Sequence, residues 1–157
     1  MSDPASEMVL QASAVAFDGR ALLITGPPGS GKSSLTLALL ERGAGFIGDD
    51  GVTLTRKEDT IIAHPPPNIA GLLDVRGVGL AHIDLTDPGP VALILELGTK
   101  PAERLPESLA RRELLGCPIP MLAFDPGTIA PAQRALWALR MHGLRIDKQA
   151  TAAKDRP

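Results

Sequence analysis

A chain of 157 residues, 44% hydrophobic and 22% charged, suits one domain with a proper core and leaves no room for a second catalytic domain. A formal net charge of −2 offers none of the basic footprint that nucleic-acid binders carry, and no block of like charges marks a membrane-surface patch, so neither partner is expected. With 3% aromatic residues and no tyrosine, aliphatic side chains must fill the interior.

No apolar run approaches the ~20 residues needed to cross a bilayer. The N-terminal MSDPASEM is acidic and polar rather than a signal peptide, which predicts a cytoplasmic protein. The single cysteine, Cys117, cannot form an internal disulfide, and it reads as a small half-buried residue in a loop between Gly116 and Pro118.

In chain order, Val9 to Phe17 alternates as a strand does, and Asp18-Gly19 is a hairpin dipeptide leading into the apolar run Arg20 to Thr25. The stretch that follows, Gly26 to Ser33, reads GPPGSGKS and satisfies the phosphate-loop pattern G-x-x-x-x-G-K-[ST] at every specified position. The required context is present, with a strand before it and good helix formers from Ser34 to Arg42 after it, closed by Gly43. Gly26, Gly29 and Gly31 let successive backbone N–H groups turn inward on a polyphosphate. Pro27, Pro28, Ser30 and Ser34 complete the cradle, Lys32 reaches the phosphates as a point charge, and Ser33 offers its hydroxyl to Mg²⁺. The expected ligand is ATP with Mg²⁺.

Gly45 to Gly48, Val52 to Arg56 and Thr60 to His64 read as short strands. Between the first two, Asp49 and Asp50 follow a strand about one helix downstream of the phosphate loop. If extended, they would point to opposite sides, one toward a terminal phosphate and one toward metal or structure; Asp49-Asp50-Gly51 can also be only a hairpin turn. Pro65-Pro66-Pro67 is expected to be a surface excursion, with a loop through Asn68 to Gly71. In LLDVRGVGLAHIDL, from Leu72 to Leu85, Gly77 and Gly79 permit a bulge or a close-lying ligand. Asp74 and Arg76, two apart on an extended segment, would share a face, either as a metal carboxylate with a phosphate-binding guanidinium or as a surface ion pair.

Val91 to Leu97 is the most strand-like run and reads as a buried central strand. Its Glu96 is read as a strand-end residue. Lys100 to Pro106 is a loop, and Glu107 to Leu115 fits a short helix or a strand. Met121 to Phe124 is a brief strand, Asp125-Pro126-Gly127 a turn, and Pro131 to His142 a helix with Pro131 in its first turn and Gly143 at its end. Ala132, Ala135, Leu136 and Leu139 make its buried stripe, with Trp137 off it. Residues 1–146 are expected to form the domain, and 147–157 a disordered tail. His64, His82 and His142 show no ligand or triad spacing.

The order short hairpin, GPPGSGKS, GDD, LLDVRGVGL resembles the C-terminal catalytic domain of the HPr kinase/phosphorylase family, from Val9 to about Leu97. The resemblance implies an α/β fold shared with phosphoenolpyruvate carboxykinase, a mixed β-sheet with flanking helices. It implies an ATP-dependent serine kinase acting on an HPr-like phosphocarrier protein of the bacterial phosphotransferase system, and typical members are hexamers. By position, Asp49 would be the catalytic acid/base, Lys32 and Arg76 would serve the transfer, and Ser33, Asp50 and Asp74 would lie by the metal. Gln11 stands where members often carry histidine, and Asp74 where their signature has glutamate. GCPIPMLAFDPG matches no phosphate-transfer arginine loop, and the N-terminal domain of long members has no counterpart. Kinase activity is therefore expected to be better kept than the reverse phosphorolysis.

Two other readings fit the same loop. A small-molecule kinase would need an arginine-rich lid, for which Arg104, Arg111 and Arg112 are the candidates. A nucleotide-sensing module would hold ATP without spending it.

Overall fold

The computed structural model describes residues 6–67, 71–99, 101–102 and 106–146. Its frame is a nine-stranded mixed sheet centred on β3 (Arg20–Thr25) and β9 (Gly89–Glu96), which run parallel from Ala21 beside Val91 to Thr25 beside Glu96. Ala21 to Ile24 and Val91 to Leu95 are wholly apolar and buried because both faces are covered. Leu22 and Ile24 enter one core with Leu95, while Ala21 and Leu23 enter the opposite core with Val91 and Ile94. The register between β3 and β9 slips at Ala92, so Ala92 and Leu93 both join the first core.

On the far side of β3, β2 (Ser13–Phe17) pairs antiparallel through the two-residue turn Asp18-Gly19, whose φ values of 55° and 78° are those of a type I′ hairpin. Strand β4 (Gly45–Gly48) closes that edge against β2. The expected single strand from Val9 to Phe17 is broken: β1 (Glu7–Leu10) turns away at Gln11 and pairs with β5 (Val52–Lys57). Chain continuity cannot keep both halves in one ladder when their partners lie in different parts of the sheet.

The near side of β9 forks. Its first residues, Gly89 and Pro90, pair with β6 (Thr60–His64), whereas Ile94 to Glu96 pair in parallel with β11 (Cys117–Ala123). The arms β1-β5-β6 and β10 (Ala110–Leu114) with β11 both contribute to the second core, through Leu54, Ile61 and Ala63 on one and Leu114, Cys117 and Ile119 on the other. Arg56 of β5 joins them by donating from Nη1 to the Leu115 carbonyl at 2.9 Å.

The segment open to helix or strand is thus the strand β10. Cys117 is corrected from a loop position to the buried first residue of β11. Pro118 and Pro120 are accommodated because that part of β11 has a neighbour only on the β10 side. Pro66 is also corrected: it is buried rather than a surface excursion, its ring packed close against Gly48, where an added Cβ would stand 3.1 Å from it.

Both helices lie on the first core. Helix α1 (Lys32–Glu41) ends in the expected glycine motif, in which Gly43 N–H reaches the Leu40 carbonyl and Ala44 N–H the Leu39 carbonyl. Helix α2 (Pro131–His142) buries Ala132, Ala135, Leu136 and Leu139 as its spacing predicted and leaves Trp137 exposed beneath the Arg140 guanidinium. A separate hairpin of β7 (Leu72–Val75) and β8 (Gly79–His82) packs by β7 near α1. Residues 68–70, Arg104 and the 147–157 tail lie outside the described residues. Among the described residues no helix is long and apolar enough to cross a membrane.

Candidate functional site

The chain leaves β3 at Thr25 and enters α1 at Lys32, so the intervening phosphate loop sits at the C-terminal edge of the parallel strands, where α/β sheets place ligands. Gly26, Gly29 and Gly31 all have positive φ, at 150°, 81° and 102°. At Gly26 a Cβ would stand 2.6 Å from both the Leu97 carbonyl oxygen and the Ser30 hydroxyl, so glycine there is a steric requirement. The loops after β9 and β11 wall the cradle. Gly98 lies against Ser30 and Pro27, and Pro126 lies near Gly31.

The first turn of α1 has no acidic residue and no side-chain cap, so its N–H groups are left for an anion. Lys32 Nζ donates to the carbonyls of Gly26 at 2.7 Å and Pro27 at 3.3 Å, which holds the ammonium over the loop. An ammonium has three N–H donors, so one remains for phosphate. The Ser30 hydroxyl is buried without a partner among the described residues, a further unspent polar group in the cradle. Pro27, Pro28 and Gly29 are exposed at the rim.

Asp49 is where the downstream segments meet this loop. Its Oδ1 accepts from Ser33 Oγ at 2.9 Å and from Ser13 Oγ at 2.8 Å, while its Oδ2 accepts from the Asp74 backbone N–H at 3.4 Å. One carboxylate therefore ties together the phosphate loop, β2 and the β7–β8 hairpin. Asp50 is different: it turns to φ 56°, its backbone N–H points to Ser13 Oγ at 3.4 Å, and its carboxylate is exposed with no hydrogen bond or ion pair among the described residues. The Asp49-Asp50-Gly51 turn is not a hairpin, because β4 and β5 pair with different strands.

Asp74 and Arg76 border an open cleft of ≈ 390 Å³ together with Gly29, Gly31, Ser33 and Ser34. That lies within the roughly 300–1,000 Å³ range of small-molecule sites. The two residues do not share a strand face as expected: Asp74 is in β7, but Arg76 begins the turn to β8, where Gly77 takes φ 77°. The glycines serve that turn rather than a bulge. Proximity to the cradle, not strand alternation, brings the pair to the cleft. Among the described residues no three acidic, histidine or cysteine side chains form a metal cage. A Mg²⁺ ion fits the Ser33–Asp49 pair only if phosphate oxygens and water complete its shell, as is usual for that ion.

Other candidates lie elsewhere. Arg111 and Arg112 are on β10, away from the residues that line the cleft, and Glu96 borders a different cavity with Pro101 and Met121. His64 is bonded to Thr55 Oγ1 at 2.8 Å, and Gln11 is exposed at the β1–β2 bend. Sequence reasoning missed Ser13, Gly98 and Pro126. No motif marks them, since each acts through contacts that exist only once the strands are assembled.

A glycine-built anion cradle between a strand and a helix, with a carboxylate on its serine, defines a P-loop phosphate-binding α/β protein. Residues 3–87 match the model of the HPr Serine kinase C-terminal domain, and the chain belongs to that family. It is 38% identical over 113 residues to the HPr kinase/phosphorylase of Bordetella pertussis, a match covering 64% of this chain and 37% of the relative. It is 41% identical over 66 residues to that of Shouchella clausii, covering 41% and 21%. The chain thus spans little more than a third of the length of the first of these relatives. The structure of the Hpr(Ser) kinase/phosphatase from Coxiella burnetii superimposes with a TM-score of 0.75 at 24% identity, covering 86% of this chain and 95% of that one, which shows a shared fold.

Proposed function

We propose that the protein is a Mg²⁺- and ATP-dependent kinase that phosphorylates a seryl hydroxyl on a small HPr-like phosphocarrier in the cytoplasm, and so regulates carbon metabolism through the bacterial phosphotransferase system. The observation that carries this reading is the 2.9 Å bond from Ser33 to Asp49, which joins the phosphate loop to the acidic pair. The matched family and the relatives' names support the acceptor class. Assembly as a hexamer belongs to the same proposal.

When bound, Mg²⁺-ATP supplies the transferable phosphoryl group and positive charge to offset its oxygens. The chain's own residues grip and orient. Backbone N–H groups of Gly29 and of Gly31 to Ser34, with the Lys32 ammonium, would hold the phosphates, and Arg76 lines the same cleft. Ser33 and Asp49 would hold the Mg²⁺ ion, with Asp74 lining the same cleft. Asp49 already accepts from two hydroxyls, so the exposed Asp50 carboxylate is the better placed of the pair to take the proton from the acceptor hydroxyl. This exchanges the roles that position alone implied for Asp49 and Asp50. A lid of Arg111 and Arg112 has no place in it, which favours a protein acceptor over a small metabolite.

The test is incubation with γ-labelled ATP, Mg²⁺ and the phosphocarrier encoded in the same genome. Label on a seryl residue is the expected result. Tight Mg²⁺-ATP binding with no label on any carrier would leave a nucleotide-holding module instead.

A further inference from the structure

Ser13 is fully buried in the middle of the molecule, a polar side chain on a strand whose neighbours Ala12, Ala14 and Val15 are all apolar and buried. A hydroxyl in such a place must be hydrogen-bonded to be tolerated. Both of its bonds go to the acidic pair: its O–H donates to Asp49 Oδ1 at 2.8 Å, and its oxygen accepts from the Asp50 backbone N–H at 3.4 Å. Strand β2 pairs with the phosphate-loop strand β3 on one side and with β4, which leads into Asp49, on the other. Ser13 faces Ile24 in the register of β3, one residue before Thr25 and the loop itself.

From this geometry we infer that Ser13 is a positioning residue for the metal side of the site, resting on the reading of Ser33 and Asp49 as the Mg²⁺-holding pair. Without the Ser13 hydroxyl, Asp49 keeps only Ser33 and the distant Asp74 N–H, and Ser33 is the group that must turn to the ion. Among the described residues, Ser13 is then the one side-chain donor that still fixes the Asp49 carboxylate when Ser33 is engaged. Its second bond fixes the backbone of Asp50 in its left-handed turn, so both acidic residues are referenced to the strand that carries the phosphate loop.

The test is equilibrium binding of a fluorescent ADP analogue to the full chain, titrated with Mg²⁺, in wild type, Ser13→Ala, Ser13→Cys and Ser13→Thr. Loss of a group that orients a metal ligand typically weakens metal affinity roughly 10–100-fold. The expected result is a Mg²⁺ half-saturation raised about 10-fold or more in Ser13→Ala and Ser13→Cys, with nucleotide affinity in EDTA unchanged. Ser13→Thr, which keeps the hydroxyl, should restore the wild-type value. Ser13→Cys conserves shape, so it keeps the test usable if alanine upsets folding. A wild-type Mg²⁺ profile in both hydroxyl-free variants overturns the inference. The readout is binding, so a chain that never transfers phosphate would refute the kinase reading while leaving this result interpretable. A wild-type chain whose nucleotide binding ignores Mg²⁺ would overturn the positioning role together with the metal pair.

Discussion

Ser33 Oγ and Asp49 Oδ1 stand 2.9 Å apart although sixteen residues separate them, one on the first turn of α1 and the other just beyond β4. The hydroxyl donates and the carboxylate accepts, and a divalent ion bound there would draw the Ser33 oxygen toward itself.

The two acidic neighbours should therefore separate in function. Asp49→Asn is expected to raise the Mg²⁺ requirement for nucleotide binding by about 10-fold or more. Asp50→Asn is expected to leave that requirement unchanged and to lower phosphate transfer by roughly 10²–10⁴-fold. Parallel Mg²⁺ titrations and single-turnover assays measure both. The reverse pattern would return the base role to Asp49.

The phosphate-loop glycines differ in what they tolerate. Gly26→Ala places a methyl 2.6 Å from a backbone carbonyl at φ 150°, so loss of nucleotide binding and a stability drop of about 2 kcal/mol or more are expected. Gly29→Ala meets nothing within 4 Å, and its cost should be limited to the positive φ of 81°, about 1 kcal/mol. Urea unfolding of the two variants gives the comparison, and equal losses would contradict it.

Arg134 braces the wall of the cradle from outside. Its guanidinium donates to the carbonyls of Asp125 and Ile129 at 2.9 Å each and to that of Pro126, and it lies 5.0 Å over the Phe124 ring. Removing it frees the loop that touches Gly31. Arg134→Ala should speed amide exchange across residues 125–129 and weaken nucleotide binding several-fold, while Arg134→Lys, which cannot fork, should recover little of either. Exchange unchanged in that loop would show that the brace is dispensable.

The helical core offers a stability test distant from the chemistry. Leu39 of α1 and Leu139 of α2 are both fully buried in the same cluster, so truncating either to alanine should cost about 2–5 kcal/mol. Denaturant midpoints should fall with little change in slope. A shift below 1 kcal/mol would mean that the two helices do not share one packed core.

The chain's own sequence settled those features whose residue types fix the local backbone outright. The phosphate loop needs its glycines, lysine and serine at fixed offsets; Asp18-Gly19 needs two positive φ values; Gly43 ends α1; Pro131 and the alanine-leucine stripe define α2. Such features are local, so residue types suffice to specify them. Only the tertiary structure decided what meets across the chain. It took β1 away from β2 at Gln11, buried Pro66 and Cys117, forked β9 between two arms, and brought Ser13, Ser33 and the Asp74 backbone onto one carboxylate. The physical reason is that a hydrogen bond between residues sixteen or thirty-six apart leaves no periodicity to read: it exists only when strand order and register set the two groups within 3 Å.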